Sequence, residues 1–166
     1  MTVLVIAGIL SAVAVPSGFN FYVRLQLDEA QNTIYSSIRT ARANARSSVG
    51  SGRPWSVRID NDGNVPVVFV EDGLPADPDR CRDIIPCQEI TLTNLVDVNV
   101  NLPFQRLIYN SRGLRIAESC ADDPNPPNPC GLNGTFRVTS PNLQNIERCV
   151  TVGDAVIGNV RKGCPG

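Results

Sequence analysis

The sequence predicts an α+β protein in which a long N-terminal α-helix packs on a C-terminal antiparallel β-sheet domain. Three observations carry this expectation. Residues 1–15 are uncharged, with only Thr2 and Ser11 polar; residues 19–49 contain neither Pro nor Gly; and after Gly52 the apolar pattern changes from helical spacing to alternation. The length of 166 residues allows one compact domain plus an appendage and nearly excludes a two-domain enzyme.

The opening segment ends at Pro16-Ser17-Gly18. Fifteen helical residues span ~22 Å, short of the ~30 Å hydrocarbon core, so the segment reads as a helix buried in lipid or in other subunits and lacking about five or six residues for a full crossing. A signal peptide is the alternative, since Ala12-Val13-Ala14 offers an A-x-A site. Against it stand the missing basic n-region and a pattern that continues as helix beyond Pro16. From there Leu27, Ile34, Ile38, Ala41, Ala45 and Val49 form one apolar stripe, and Arg39, Arg42 and Arg46 form another. Asp28 and Glu29 early and the arginines late suit the helix macrodipole. Those arginines read as an exposed helix edge or as contacts to a neighbouring subunit. The organisation is therefore 1–23 as the hydrophobic helix, 24–50 as an amphipathic helix facing the sheet, and 51–166 as the β-rich body.

Within that body, 55–59 and 65–70 flank Asp60-Asn61-Asp62-Gly63-Asn64 and read as a hairpin closed by an Asp-Gly turn. Further strands are expected at 89–93, 95–101, 106–109, 135–139, 148–152 and 155–160. Between them lie two Pro- and Asp-rich loops, 72–80 and 122–129. Asp60, Asp62 and Asn64, or the acids at 71, 72, 77, 79 and 83, offer oxygens for calcium. Gly63 comes too early for an EF-hand, so a turn and a solvated acidic loop are the favoured readings. Asn133-Gly134-Thr135 is either a glycosylation acceptor or a tight turn.

Composition removes much of the common enzyme chemistry. There is no histidine, which excludes Ser/His/Asp and Cys/His nucleophile systems and zinc sites that need imidazole. No phosphate-binding glycine loop or nucleophile elbow is present. No catalytic residue, cofactor, metal or small-molecule substrate is expected. The net charge of −1 hides a division along the chain: +4 over 24–58, −7 over 60–123 and +2 over 124–166. Of the 15 basic residues only Lys162 is a lysine, a bias that favours bidentate contacts but that genome composition also produces. The six cysteines, Cys81, Cys87, Cys120, Cys130, Cys149 and Cys164, are even in number and lack a C-x-x-C pair, which suggests disulfides in an oxidising compartment. Sequential pairing, 81–87, 120–130 and 149–164, is expected; buried free thiols are the alternative.

Val-Ile-Ala-Gly-Ile-Leu-Ser-Ala-Val-Ala-Val-Pro-Ser at 5–17 resembles the N-terminal helix of type IV pilins and type II secretion pseudopilins. Ile-Arg-Thr-Ala-Arg-Ala-Asn-Ala-Arg at 38–46, Gly52-Arg53-Pro54, Leu-Ile-Tyr-Asn-Ser-Arg-Gly at 107–113 and the segment 150–161 are similar to the GspH/FimT branch of minor pilins and pseudopilins. The resemblance implies a pilin-like fold whose apolar helix sits in the bacterial inner membrane before assembly and in the filament core afterwards. Val5, Ile6, Gly8, Ile9, Leu10, Val13 and Pro16 are then core residues, with Gly8 and Pro16 as points where helical order is weak. The C-terminal domain becomes periplasmic, and the assembled subunit belongs to a pilus or pseudopilus, periplasmic or extracellular. It further implies a structural subunit near the filament tip, with other pilin subunits and the inner-membrane assembly platform as partners.

Two departures from the family pattern stand out. The basic leader, the cleavage site and the glutamate of the mature helix are expected upstream of Met1. DNA-binding members carry a Gly-Arg-x-Arg tail, whereas this chain has Gly158-Asn159-Val160-Arg161-Lys162. DNA capture through Arg161, Lys162, Arg148 and Arg137 is the alternative function that the resemblance implies, against a solvated basic edge.

Overall fold

A computed structural model of the chain describes residues 2–48, 52–61, 65–73, 87–101, 106–116, 134–153 and 160–164. Side chains are described from Gly18 onward, except at 101, 115, 116, 144 and 145. The helix α1 spans Thr2–Ser47, 46 residues and about 69 Å at 1.5 Å per residue. It runs through Gly8, Pro16 and Gly18 without a break in its assignment, so the weak points expected there do not end it. Its C-terminus is tied down by Ser48, whose Oγ donates to the Asn44 carbonyl at 2.9 Å and accepts from Trp55 Nε1 at 3.1 Å. Gly52 then reverses the chain at φ +65°, a conformation glycine adopts without a Cβ penalty.

Among the described residues nine strands follow: β1 Trp55–Asp60, β2 Val67–Asp72, β3 Cys87–Thr91, β4 Asp97–Asn101, β5 Arg106–Tyr109, β6 Arg115–Ile116, β7 Gly134–Ser140, β8 Leu143–Val152 and β9 Val160–Lys162. All pairings among them are antiparallel. They form two sheets, one ordered β3-β2-β1-β5-β6 and the other β4-β7-β8-β9. Consecutive strands β3 and β4 belong to different sheets. The link between them turns at Thr93, whose Oγ1 accepts from Leu95 N at 3.3 Å while its carbonyl accepts from Val96 N at 3.3 Å.

The helix crosses both sheets and seals one core. Val23, Leu27, Ala30, Ile34, Ile38, Ala41 and Ala45 recur every three or four residues and are all buried, as a helix resting one face on a surface requires. Three are alanines, which let the helix backbone lie close to the strands. Opposite them sit Val57, Val68, Val70, Leu107 and Tyr109 from the first sheet and Val98, Phe136, Val138, Val150 and Val152 from the second.

Most expected strands are present with shifted ends. The β1–β2 hairpin pairs Asp60 with Val67 and Trp55 with Asp72; β2 begins after Pro66 because proline supplies no ladder N–H. The Asp-Gly turn at 62–64 lies outside the described residues, as do 122–129 and most of 72–80 and 155–160. Strand β8 begins five residues before the expected 148–152, reaching back to a turn at Pro141-Asn142; the β7–β8 register shifts between Val138 and Ser140. Strand β6, two residues long, has no periodic signal to betray it.

The first sheet is buried on both faces at its central strand β1. In β1 the four central residues Ser56, Val57, Arg58 and Ile59 are all buried. On the face away from the core, the Arg58 guanidinium lies 3.1 Å from Asp60 Oδ2 and 3.5 Å from Glu71 Oε1, with its carbon 4.3 Å from the Phe69 ring centroid. Ser56 Oγ lies 3.4 Å from Glu71 Oε2 and 3.3 Å from the Gly73 carbonyl. A buried guanidinium is tolerable because carboxylates and an aromatic face replace its water.

The helix stripe sets a clear expectation for stability. Ile34→Ala should cost about 2–5 kcal/mol, the range for deleting a large buried aliphatic group. Leu25→Ala, at a side chain 48% exposed, should stay within about 0.5 kcal/mol. Urea denaturation of the detergent-solubilised chain measures both, and equal losses would contradict the packing.

Candidate functional site

Among the described side chains of α1, burial begins at Val23. On the N-terminal side of that point Phe19, Phe21 and Tyr22 are 46%, 64% and 50% exposed, and Leu25 just beyond it is 48% exposed. Isolated exposed leucines mean little, but four large apolar side chains within seven residues of one helix form a patch. The seven residues expected in a filament core, Val5 to Pro16, lie N-terminal to this patch on the same helix; their side chains lie outside the described set. Among the described residues no helix is long and apolar enough to cross a membrane.

The four basic residues singled out for DNA do not come together. Cross-strand neighbours project to the same face of a sheet. Arg148 pairs with Val138, and Lys162 with Val150, on the helix-facing side. Arg137 pairs with Cys149, and Arg161 with Thr151, on the opposite side. Arg148 Nε sits 2.5 Å from Asp28 Oδ1 of α1, and Arg137 is 3.2 Å from Glu147. Lys162 Nζ donates to Asn32 Oδ1 and stands 5.1 Å from the Tyr35 ring centroid. Arg161 is exposed.

The second half of α1 shows what the stripe of arginines does. Arg39 lies 5.7 Å from the Tyr35 ring centroid, so Tyr35 carries a cation from the helix and another from β9. Arg42 Nε donates to the Gly113 carbonyl at 3.0 Å. Gly113 closes the β5–β6 turn at φ +69°, where its N–H reaches the Asn110 carbonyl at 2.7 Å. The Asn110 side chain accepts from the N–H groups of Arg112 and Leu114, both at 3.0 Å, which fixes the turn by an Asx-type contact. A Cβ at Gly113 would stand 2.3 Å from Arg46 Nε, so the Arg46 side chain lies directly over this glycine. The Asn-Ser-Arg-Gly run stood out in the sequence only as part of a strand-like family motif; neither its turn nor its docking on the helix was expected.

Among the described cysteines, Cys149 and Cys164 form a disulfide, as sequential pairing expects. Cys87 is also disulfide-bonded; Cys81, Cys120 and Cys130 lie outside the described residues. Glu147, Cys149 and Cys164 cluster within 4.8 Å, but both sulfurs are used in the S–S bond and leave a single carboxylate. Of the oxygens considered for calcium, Asp60 and Glu71 face Arg58. Asp62, Asn64, Asp77, Asp79 and Asp83 are outside the described set, and so is Asn133 of the glycosylation triplet.

The arrangement of one long helix over two antiparallel sheets has known counterparts. The crystal structure of the type IV minor pilin FimU from Pseudomonas aeruginosa (strain PAO1) in space group P21 superposes with a TM-score of 0.58 at 14% identity, covering 87% of this chain and 92% of that one. The fold is the pilin fold. A second crystal form of FimU, in space group P65, gives a TM-score of 0.55 at 13% identity over 83% of this chain and 93% of that one. No protein-family model matches the sequence, and no curated protein does. The likeness therefore lies in the pilin fold, at an identity too low to carry individual residues across.

Gly113 separates backbone strain from side-chain docking. Gly52 and Gly113 share a left-handed backbone, at φ +65° and +69°, but nothing lies within 4 Å of a Cβ at Gly52. Alanine at either position costs roughly 1–2 kcal/mol for the backbone alone. Gly113→Ala must also displace Arg46, so it should lower the urea midpoint more than Gly52→Ala. Equal midpoints would mean that Arg46 does not rest on the turn.

Proposed function

We propose that the chain is a pilin subunit of a type IV filament, a structural component without catalytic activity. The observation that carries this reading is the mismatch along α1. Among the described side chains, the chain's own sheets bury the helix from Val23 onward, while Phe19, Phe21, Tyr22 and Leu25 stay exposed, and no charged residue precedes Arg24. A helix this apolar gains nothing from water and needs a second apolar environment. Lipid before assembly and the helices of neighbouring subunits afterwards supply it. In this reading residues 1–23 occupy the inner membrane and then the filament core, the domain beyond them is periplasmic, and the assembly platform is the first partner.

The pilin fold shared with a minor pilin supports the finer reading of a low-abundance subunit near the filament tip, in a pilus or in a secretion pseudopilus of the GspH/FimT branch. DNA capture by the β9 tail has less support, because Arg148 and Arg137 are engaged by Asp28 and Glu147 and the four cations are divided between two faces.

The test replaces exposed apolar groups that the isolated fold does not use. Phe21→Asp combined with Leu25→Asp should leave the cellular amount of the subunit unchanged and cut its recovery in sheared, purified filaments by tenfold or more. Wild-type protein that never co-purifies with filaments or their platform would overturn the reading.

A further inference from the structure

Among the described residues two sheet edges, β3 and β9, are open. Of the other two, β6 has just two residues, and the Val98 carbonyl of β4 accepts from Asn61 Nδ2. In β3, Gln88, Glu89 and Thr91 are exposed. Leu92 N donates to the Pro66 carbonyl at 2.9 Å. Residues 88 and 90 therefore bond to β2 as well, and the N–H and C=O groups of Glu89 and Thr91 point outward. In β9, Gly163 N donates to the Cys149 carbonyl at 2.8 Å. Arg161 therefore bonds to β8, and the N–H and C=O groups of Val160 and Lys162 point outward. Free main-chain groups along an edge are a template for another strand.

The two edges match in charge and in position. Glu89 on β3 and Arg161 on β9 are both exposed, and neither makes an ion pair among the described residues. Exposed Glu29 stands with Gln26 and Thr33 on the flank of α1 that shares a groove with residues 90–93. Lys162 stands on the other flank, at Asn32 and Tyr35. An acidic edge and a basic edge thus lie on opposite flanks of α1 at close to the same height. Copies standing side by side with parallel helices bring the two together. A β3–β3 pair does not, because its two-fold axis is perpendicular to the sheet and reverses the second helix.

Chirality fixes the sense of pairing. Glu89 and Thr91 lie opposite Phe69 and Val67, on the face away from α1; Val160 and Lys162 lie opposite Val152 and Val150, on the face toward it. In an L-chain the strand direction and the face a side chain takes decide to which edge that residue's N–H and C=O point. Outward groups with opposite faces on opposite edges therefore mean that β3 and β9 run the same way. We propose that β3 of one copy pairs in parallel with β9 of a second copy, with Glu89 opposite Arg161. Glu89 N–H then donates to the Val160 carbonyl, Lys162 N–H to the Glu89 carbonyl and Thr91 N–H to the Lys162 carbonyl. The Glu89 and Arg161 side chains share the face away from α1. The contact is head-to-tail, so it propagates from copy to copy instead of closing a pair. It deepens the filament reading and rests on it for the parallel setting of the helices.

The test places p-benzoylphenylalanine at position 88 of the full chain, in cells that assemble filaments and co-express two differently tagged copies. Position 88 then faces Val160, so mass spectrometry should map crosslinks between the two tags to residues 160–162. Glu89→Arg and Arg161→Glu each set like charges opposite one another and should cut the crosslink yield about fivefold. The double variant restores opposite charges and should return the yield to within about twofold of the unsubstituted pair. Thr91→Pro removes an outward N–H that its own sheet does not use and should also lower the yield, with the cellular amount of subunit unchanged. A subunit recovered in filaments whose position 88 crosslinks to no second copy, to another part of it, or to a different pilin subunit overturns this contact and leaves the filament reading standing. A subunit that never reaches filaments overturns both. Loss in the single charge variants without recovery in the double would mean that Glu89 and Arg161 do not face each other, which also overturns the proposed register.

Discussion

The structure depends on one constraint: among the described residues, the two sheets cover a 46-residue helix from Val23 onward and leave the large apolar side chains just before it exposed. From Val23 to Ala45 the apolar stripe rests on two antiparallel sheets that share a single core. Before Val23 the same helix continues with exposed aromatic side chains. The two sheets are positioned by this helix. β1, β2 and β5 of one sheet and β7, β8 and β9 of the other all touch it, and consecutive strands β3 and β4 lie in different sheets beneath it.

Electrostatics divides the arginines into two kinds. Arg58 is buried in the first sheet and is neutralised on the spot by Asp60, Glu71 and the face of Phe69. It belongs to the architecture: it lets the face of the sheet away from the helix be buried as well. The arginines of α1 are placed at the border of the core, where their stems cover apolar surface and their heads stay near water. Arg42 and Arg46 use that position to hold the β5–β6 turn against the helix. Tyr35 performs the matching task at β9, between Arg39 and Lys162.

The sequence was most legible where one periodicity ruled. Leu27, Ile34, Ile38, Ala41 and Ala45 were readable as the buried face because helical spacing admits one solution, and all five are fully buried. The strand at 106–109 was readable to the residue. Strand β1 was readable as a strand but not as one buried on both faces, since Ser56 and Arg58 look like solvent-side residues until Glu71 is brought opposite Ser56. The four candidate DNA contacts failed to gather for a related reason. Alternation along β7, β8 and β9 sends neighbouring residues to opposite faces, and their charged partners Asp28 and Glu147 are set by tertiary contact. Asn32 and Tyr35, which receive Lys162, carried no signal beyond their spacing from the arginines.

The central claim is that the helix before Val23 is covered by other subunits rather than by its own domain. A photo-crosslinking amino acid placed at Phe21 of the full chain in cells assembling filaments tests it directly, with the buried position Leu27 as reference. The account predicts crosslinks from position 21 to the helices of other pilin subunits and, from position 27, only within the same chain. Crosslinks from position 21 confined to its own β-domain would contradict it.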